Sequence, residues 1–171
     1  MSDLPLATLA NLAEIIGTSS IVTGLIFGWF QIRQYQRQQR DAIATTLTRT
    51  FYDRDLAHAI ALLQAVPDGL GGDELRARGD EYVEAAVTVT TSFETMGLLV
   101  FKRIAPLDLV LDLAGGIVTT MSRKLARWQE DMRVAQSQPS WGEWFEWLGD
   151  RARQAKHAAE PAHVRYRSWK P

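Results

Sequence analysis

Glu94 stands beside Phe93 in a segment whose apolar residues recur every three or four positions, so its carboxylate falls on or next to a buried helix face. A carboxylate so placed is a buried acid, a metal ligand or half of an ion pair. The ion pair is the expected state, because buried charges are paired. Arg123, Arg127 and Arg133 are its candidate partners. Asp108 and Asp112 stand one turn apart and could face a hard cation, but such a site needs roughly four further oxygens. Nothing at matching spacing supplies them, and the dipole of a helix starting at Pro106 accounts for acids there. Glu160 and His163 have the Glu-x-x-His spacing of di-iron bundles, yet Pro161 lies between them and no second copy exists. His58 follows Asp55 by three residues, the spacing of a proton relay and, more commonly, of a solvated pair on a helix surface. No serine has a histidine–acid companion, and no glycine-rich phosphate loop is present. The expectation is therefore a protein that is not an enzyme, with no catalytic residue, no cofactor and no metal.

Composition narrows the classes further. The 171 residues suit one ordinary domain, and 46% apolar with 23% charged residues indicates a folded chain. A formal net charge of −1 provides no overall attraction for nucleic acid, which is not an expected partner. The absence of cysteine excludes disulfides, zinc ribbons, iron–sulfur clusters and thiol catalysis.

The elements that would position any site begin with an uncharged run from Ile15 to Ile32. As a helix it spans about 27 Å, close to the roughly 30 Å of a bilayer core. Leu9 to Ala13 extend it, and Glu14 falls in its outer third. Trp29 lies where indole rings favour the membrane interface, and Arg33, Arg37 and Arg40 follow directly. Asp3 precedes the run, with no Lys or Arg. The basic flank stays inside, so the reading is a single-pass transmembrane helix, N-terminus outside and C-terminal part cytoplasmic. No basic n-region marks a cleaved signal peptide. A buried helix in a soluble bundle is the other reading. Ser20, Gly24 and Gly28 recur every four residues on one face, a small-residue seam for a second copy or another membrane protein.

The remainder reads as all-α. Residues 1–32 form the N-terminal segment and span, 33–42 a polar and basic stalk, 43–156 a helical domain of about four helices, and 157–171 a basic aromatic tail. Arg33, Arg37 and Arg40 also suit anionic lipid headgroups. The apolar stripe of Ile43, Leu47, Phe51, Leu56, Ile60 and Leu63 predicts one helix, ended by Pro67, Gly69, Gly71 and Gly72. Asp73 and Glu74 open the next, which continues through Tyr82, Val89, Phe93 and Val100. Its β-branched run at Val87–Thr91 favours strand locally, but the longer helical period predicts a helix. Pro106 starts a third helix, with Gly115–Gly116 inside it as a place to kink. Ser140 and Glu143 read as a capping box for a last helix from Trp141 to Lys156, with an extended tail beyond Pro161.

Trp141, Trp144 and Trp147 place three indoles within seven residues. They either cap the bundle or form a docking surface, with membrane contact as a third use. Tyr166 and Trp169 interleave with Arg165, Arg167 and Lys170 in a tail suited to an acidic partner or an anionic membrane.

Ser92–Val100, Pro106–Val110, Trp128 and Trp144–Leu148, with the N-terminal run and its Gln/Arg-rich stalk, resemble an uncharacterised bacterial family of membrane-anchored proteins catalogued as domain of unknown function 4760. The resemblance covers roughly Ile15 to Arg151. It implies the bacterial inner membrane and brings no catalytic residues. The expected role is an interaction or structural protein, an accessory subunit or scaffold of an inner-membrane assembly. The alternative is a membrane-tethered sensor or effector with a ligand pocket near Glu94.

Overall fold

The structure is a computed structural model that describes residues 6–51, 53–158 and 160–170. The side chains of 6–13, 15, 36, 37, 39–41, 44, 51 and 157 also lie outside the description. Asp3 and the side chains of Leu9 to Ala13, Arg37 and Arg40 therefore fall beyond what can be described.

All-α is the observed class. Eight helices and no strand occur among the described residues. The chain divides into two compact units, Met1–Ala42 and Ile43–Pro171. The first contains most of α1 (Leu6–Phe51). Along residues 16–32 its large apolar side chains are exposed, among them Ile16, Ile21, Leu25, Ile26 and Phe27.

The second unit is built on α4 (Asp80–Phe101), which packs against α2 (Arg54–Gln64) and α7 (Glu143–Ala158). Its buried side is the helical stripe of Ala85, Ala86, Val89, Phe93, Met96 and Val100. The run Val87–Thr91 is helical, because burying that stripe outweighs the local strand preference. Among the described residues, α4 is also the helix long and apolar enough to cross a membrane, but 44% of its apolar window is buried within the bundle. That burial makes it a core helix. Leu56, Ala59 and Leu63 of α2, and Val110, Ala114, Val118 and Met121 of α5 (Leu107–Lys124), complete the core with Phe145, Leu148 and Ala152 of α7. Phe93 stacks on Phe145 with ring centroids 5.3 Å apart. Each such side chain contributes about 1.5–3 kcal/mol when fully buried.

Several boundaries differ from the sequence reading, each for a local reason. The stripe from Ile43 to Leu63 is two helices, because Asp53 Oδ1 accepts hydrogen bonds from the N–H groups of Asp55 and Leu56, both at 3.0 Å, and starts α2 afresh. The helix opened by Asp73 stops after one turn as α3 (Gly72–Arg76), and Gly79, at φ +138°, turns the chain into α4. Gly115–Gly116 does not break α5. The break falls at Leu125, before α6 (Ala126–Ala135). Ser140 and Glu143 are not the expected capping box. Residues 139–142 form a turn through Gly142, at φ +72°, and α7 begins at Glu143. The tail is not wholly extended, since α8 (Ala162–Arg165) makes one helical turn.

Candidate interaction surfaces

Gly142 has no side chain with which to cap α7, and the cap comes from another helix. Glu94 Oε2 on α4 accepts from the N–H of Phe145 at 2.8 Å, and the carboxylate also draws on the N–H of Trp144. These are the second and third residues of α7, the positions an N-cap side chain serves. Burial pushes the Glu94 carboxyl above the ordinary carboxylate range, and Glu143 adds to that rise. The two backbone donors and the distant Arg133 oppose it. The expected arginine partner is therefore replaced by backbone. Arg133 instead donates to the Trp141 carbonyl at 2.9 Å and pairs with Glu146 at 2.6 Å, tying α6 to the start of α7. Arg127 pairs with Glu74 at 3.2 Å and Arg123 with Asp68 at 2.6 Å.

The three indoles of residues 141–147 divide into two clusters. Trp141 lies in the turn before α7, half-buried, edge-on to the fully buried Trp128 at 5.0 Å. Trp144 and Trp147 lie half-buried on α7, at 4.3 and 6.0 Å from the exposed ring of Phe101 at the end of α4. Lys102 Nζ stands over Phe101 at 5.9 Å, and the Arg151 guanidinium over Trp147 at 5.7 Å. Tyr166 and Trp169 are exposed, with Arg165 over Tyr166 at 4.7 Å. Among the described residues, no ring contact joins this tail pair to the α7 tryptophans.

On α1, Ser20, Gly24 and Gly28 share one face, and Ser20 Oγ donates to the Ile16 carbonyl at 2.8 Å. A Cβ added at Gly24 or Gly28 would meet nothing within 4 Å. Trp29 packs edge-on against Phe30, and Arg33 lies over its indole at 5.0 Å.

Asp108 and Asp112 are exposed on α5, Asp55 and His58 on α2, and Glu160 precedes the turn that contains His163. Among the described residues, no three His, Asp or Glu groups gather as a metal site.

Two working residues carry no signal that the sequence reading used. Lys124 is buried; its ammonium donates to the Val66 carbonyl and pairs with Asp68 at 3.1 Å. It thereby fixes the turn after α2, where Gly69 N–H also donates to the Lys124 carbonyl at 3.1 Å. Asp131 on α6 accepts from Gly72 N–H at 2.8 Å, while Glu74 reaches back to Gly71 N–H at 2.7 Å. The acid-opened start at Asp73 and Glu74 was visible, but a cap from α6, 59 residues away, was not.

No curated protein and no solved structure matches the chain. One family model does, over residues 18–152 and hence across both the apolar part of α1 and the core of the helical unit. The chain belongs to the family described as Domain of unknown function (DUF4760).

Proposed function

We propose that this protein is a single-pass membrane-anchored interaction protein, an accessory subunit or scaffold of a bacterial inner-membrane assembly, with its helical unit in the cytoplasm. The observation that carries the reading is the exposure of successive large apolar residues over about two-thirds of the circumference of α1 at 16–32, the remaining arc carrying the small-residue face of Ser20, Gly24 and Gly28. An uncharged helix with so wide an exposed apolar surface needs lipid or protein around it, and Trp29 near the end of the run and Arg33 just after it are residue types of a membrane interface. The helical unit supports binding over chemistry. The carboxyl that burial raises, Glu94, is used by the backbone of α7, so the group that motivated a ligand-sensing pocket is already engaged.

The test is extraction of native membranes. The full-length chain should resist alkaline carbonate and be released by mild detergent, co-purifying at a mass well above its own 19.2 kDa. Release by carbonate would overturn the anchor. A detergent-solubilised monomer with nothing bound would overturn the scaffold role.

A further inference from the structure

The Phe101, Trp144 and Trp147 rings form a surface that packing within the bundle does not use up. Phe101 is 49% exposed, and the next turn of chain adds Ile104 at 54%. Leu98, one turn earlier on α4, extends the apolar area. Three cations surround it. Lys102 and Arg103 follow Phe101 in the turn that ends α4, and Arg151 lies one turn beyond Trp147 on α7. All three are exposed, and among the described residues none of them pairs with an acid. The nearby Asp150 is engaged by Arg153, while Arg151 reaches only the neutral Gln154 at 3.2 Å.

We propose that this cluster is a second membrane contact, a site for anionic lipid headgroups distinct from α1. Amphipathic rings and short apolar side chains suit the boundary between headgroups and acyl chains. Unpaired Lys and Arg at the same level attract phosphate and carboxylate headgroups, and each is worth about fivefold in surface attraction. An acidic protein groove would also meet the charges. However, the apolar residues at the surface are few, Leu98, Phe101 and Ile104 beside the half-buried Trp144 and Trp147, against the roughly 20–30 residues that a stable protein interface engages on each side, which favours the bilayer. The proposal rests on the membrane-anchored reading above, and its test separates the two.

The chain contains no cysteine, so a single introduced thiol reports one place. The full chain carrying Ile104→Cys, labelled with an environment-sensitive fluorophore, is reconstituted in phosphatidylcholine vesicles with or without phosphatidylglycerol and a headgroup-nitroxide lipid. A parallel sample carries the label at Ile26→Cys. Expected is strong quenching at position 104 in anionic vesicles that falls severalfold in neutral vesicles and in high salt. It should also fall severalfold in the triple variant Lys102→Glu, Arg103→Glu, Arg151→Glu, whose circular dichroism and Tm should match the parent. Equal quenching in neutral and anionic vesicles, or insensitivity to the charge reversal, overturns the site. So does shielding of the label that rises with protein concentration in lipid-free detergent, which would make the cluster a protein–protein face. A lipid-buried label at position 26 beside an unquenched one at 104 sinks this site alone. The reverse pattern sinks the anchor and leaves the site standing.

Discussion

The Glu94 carboxylate on α4 accepts the Phe145 N–H of α7 at 2.8 Å, so one helix carries the N-terminal cap of another. The bond crosses the same interface at which Phe93 stacks on Phe145, and it caps the helix that bears Trp144 and Trp147. Glu94→Ala removes this side-chain cap and should cost about 1–2 kcal/mol. Glu94→Gln keeps a carbonyl acceptor of the same length and should recover most of that loss. Denaturant unfolding of the three proteins in detergent, followed by far-ultraviolet circular dichroism, measures both differences. Equal losses for Ala and Gln would mean that the charge, not the cap, holds α7.

Glu94 and Asp68 should respond to pH with opposite signs. Burial raises the folded-state pKa of Glu94. Its contribution is therefore fully present below the ordinary carboxylate range and is lost as pH rises through the folded value. The hydrogen bond from Lys124, aided by Arg123, holds Asp68 below that range against some desolvation. Its contribution is present above the ordinary range and is lost as pH falls through the folded value. Stability measured from mildly acidic to neutral pH should thus favour the parent over Glu94→Gln increasingly as pH falls. Against Asp68→Asn, the parent's advantage should shrink at the acid end. Parallel curves for either pair would show that the group titrates alike in folded and unfolded chains.

Two glycines mark where helix backbones approach too closely for any side chain. A Cβ on Gly97 of α4 would collide with the Trp144 carbonyl oxygen, and one on Gly149 of α7 with Ser122 Oγ of α5. The Gly97 contact is backbone and cannot swing away, and at Gly149 the Ser122 Cβ lies at 2.7 Å, where a rotamer change does not move it. Gly97→Ala and Gly149→Ala should therefore each cost about 1–3 kcal/mol. Gly116, on an exposed part of α5 with only the tip of Lys156 nearby, should instead gain up to about 1 kcal/mol on replacement by Ala. Comparing Tm across the three orders the interfaces. A Gly97→Ala protein as stable as the parent would mean that α7 does not dock on α4 at this distance.

What the sequence made legible follows from which signals are periodic. The stripes Ala86–Val89–Phe93–Met96–Val100 and Val110–Ala114–Val118–Met121 repeat at helical spacing, and the structure buries both. The capping groups are not periodic. Asp53 is one acid among many, and it acts because it precedes α2 with an extended backbone. Glu94 and Asp131 cap helices 51 and 59 residues away, respectively, so no local pattern announces them. Lys124 reads as a solvated last-turn cation until the turn after α2 closes over it. The tryptophans were visible as a group, but their division between Trp128 and Phe101 depends on where α7 starts. Gly142, not Ser140, decides that.

The seam on α1 makes the sharpest prediction about assembly. Gly24→Leu and Gly28→Leu each introduce a large side chain where an added Cβ meets nothing within 4 Å. Neither should strain the chain itself, and leucine is the better helix former. A loss of assembly would then report a neighbouring helix that needs close backbone approach at Ser20, Gly24 and Gly28. Val22→Leu and Ile26→Leu lie on the opposite face and serve as controls. In a membrane two-hybrid or cross-linking assay, the glycine variants should reduce self- or hetero-association about tenfold, while the controls and the circular dichroism stay unchanged. Undiminished association of both glycine variants would move the contact off this face. Loss in the controls as well would mean that α1 associates by bulk hydrophobicity and has no seam.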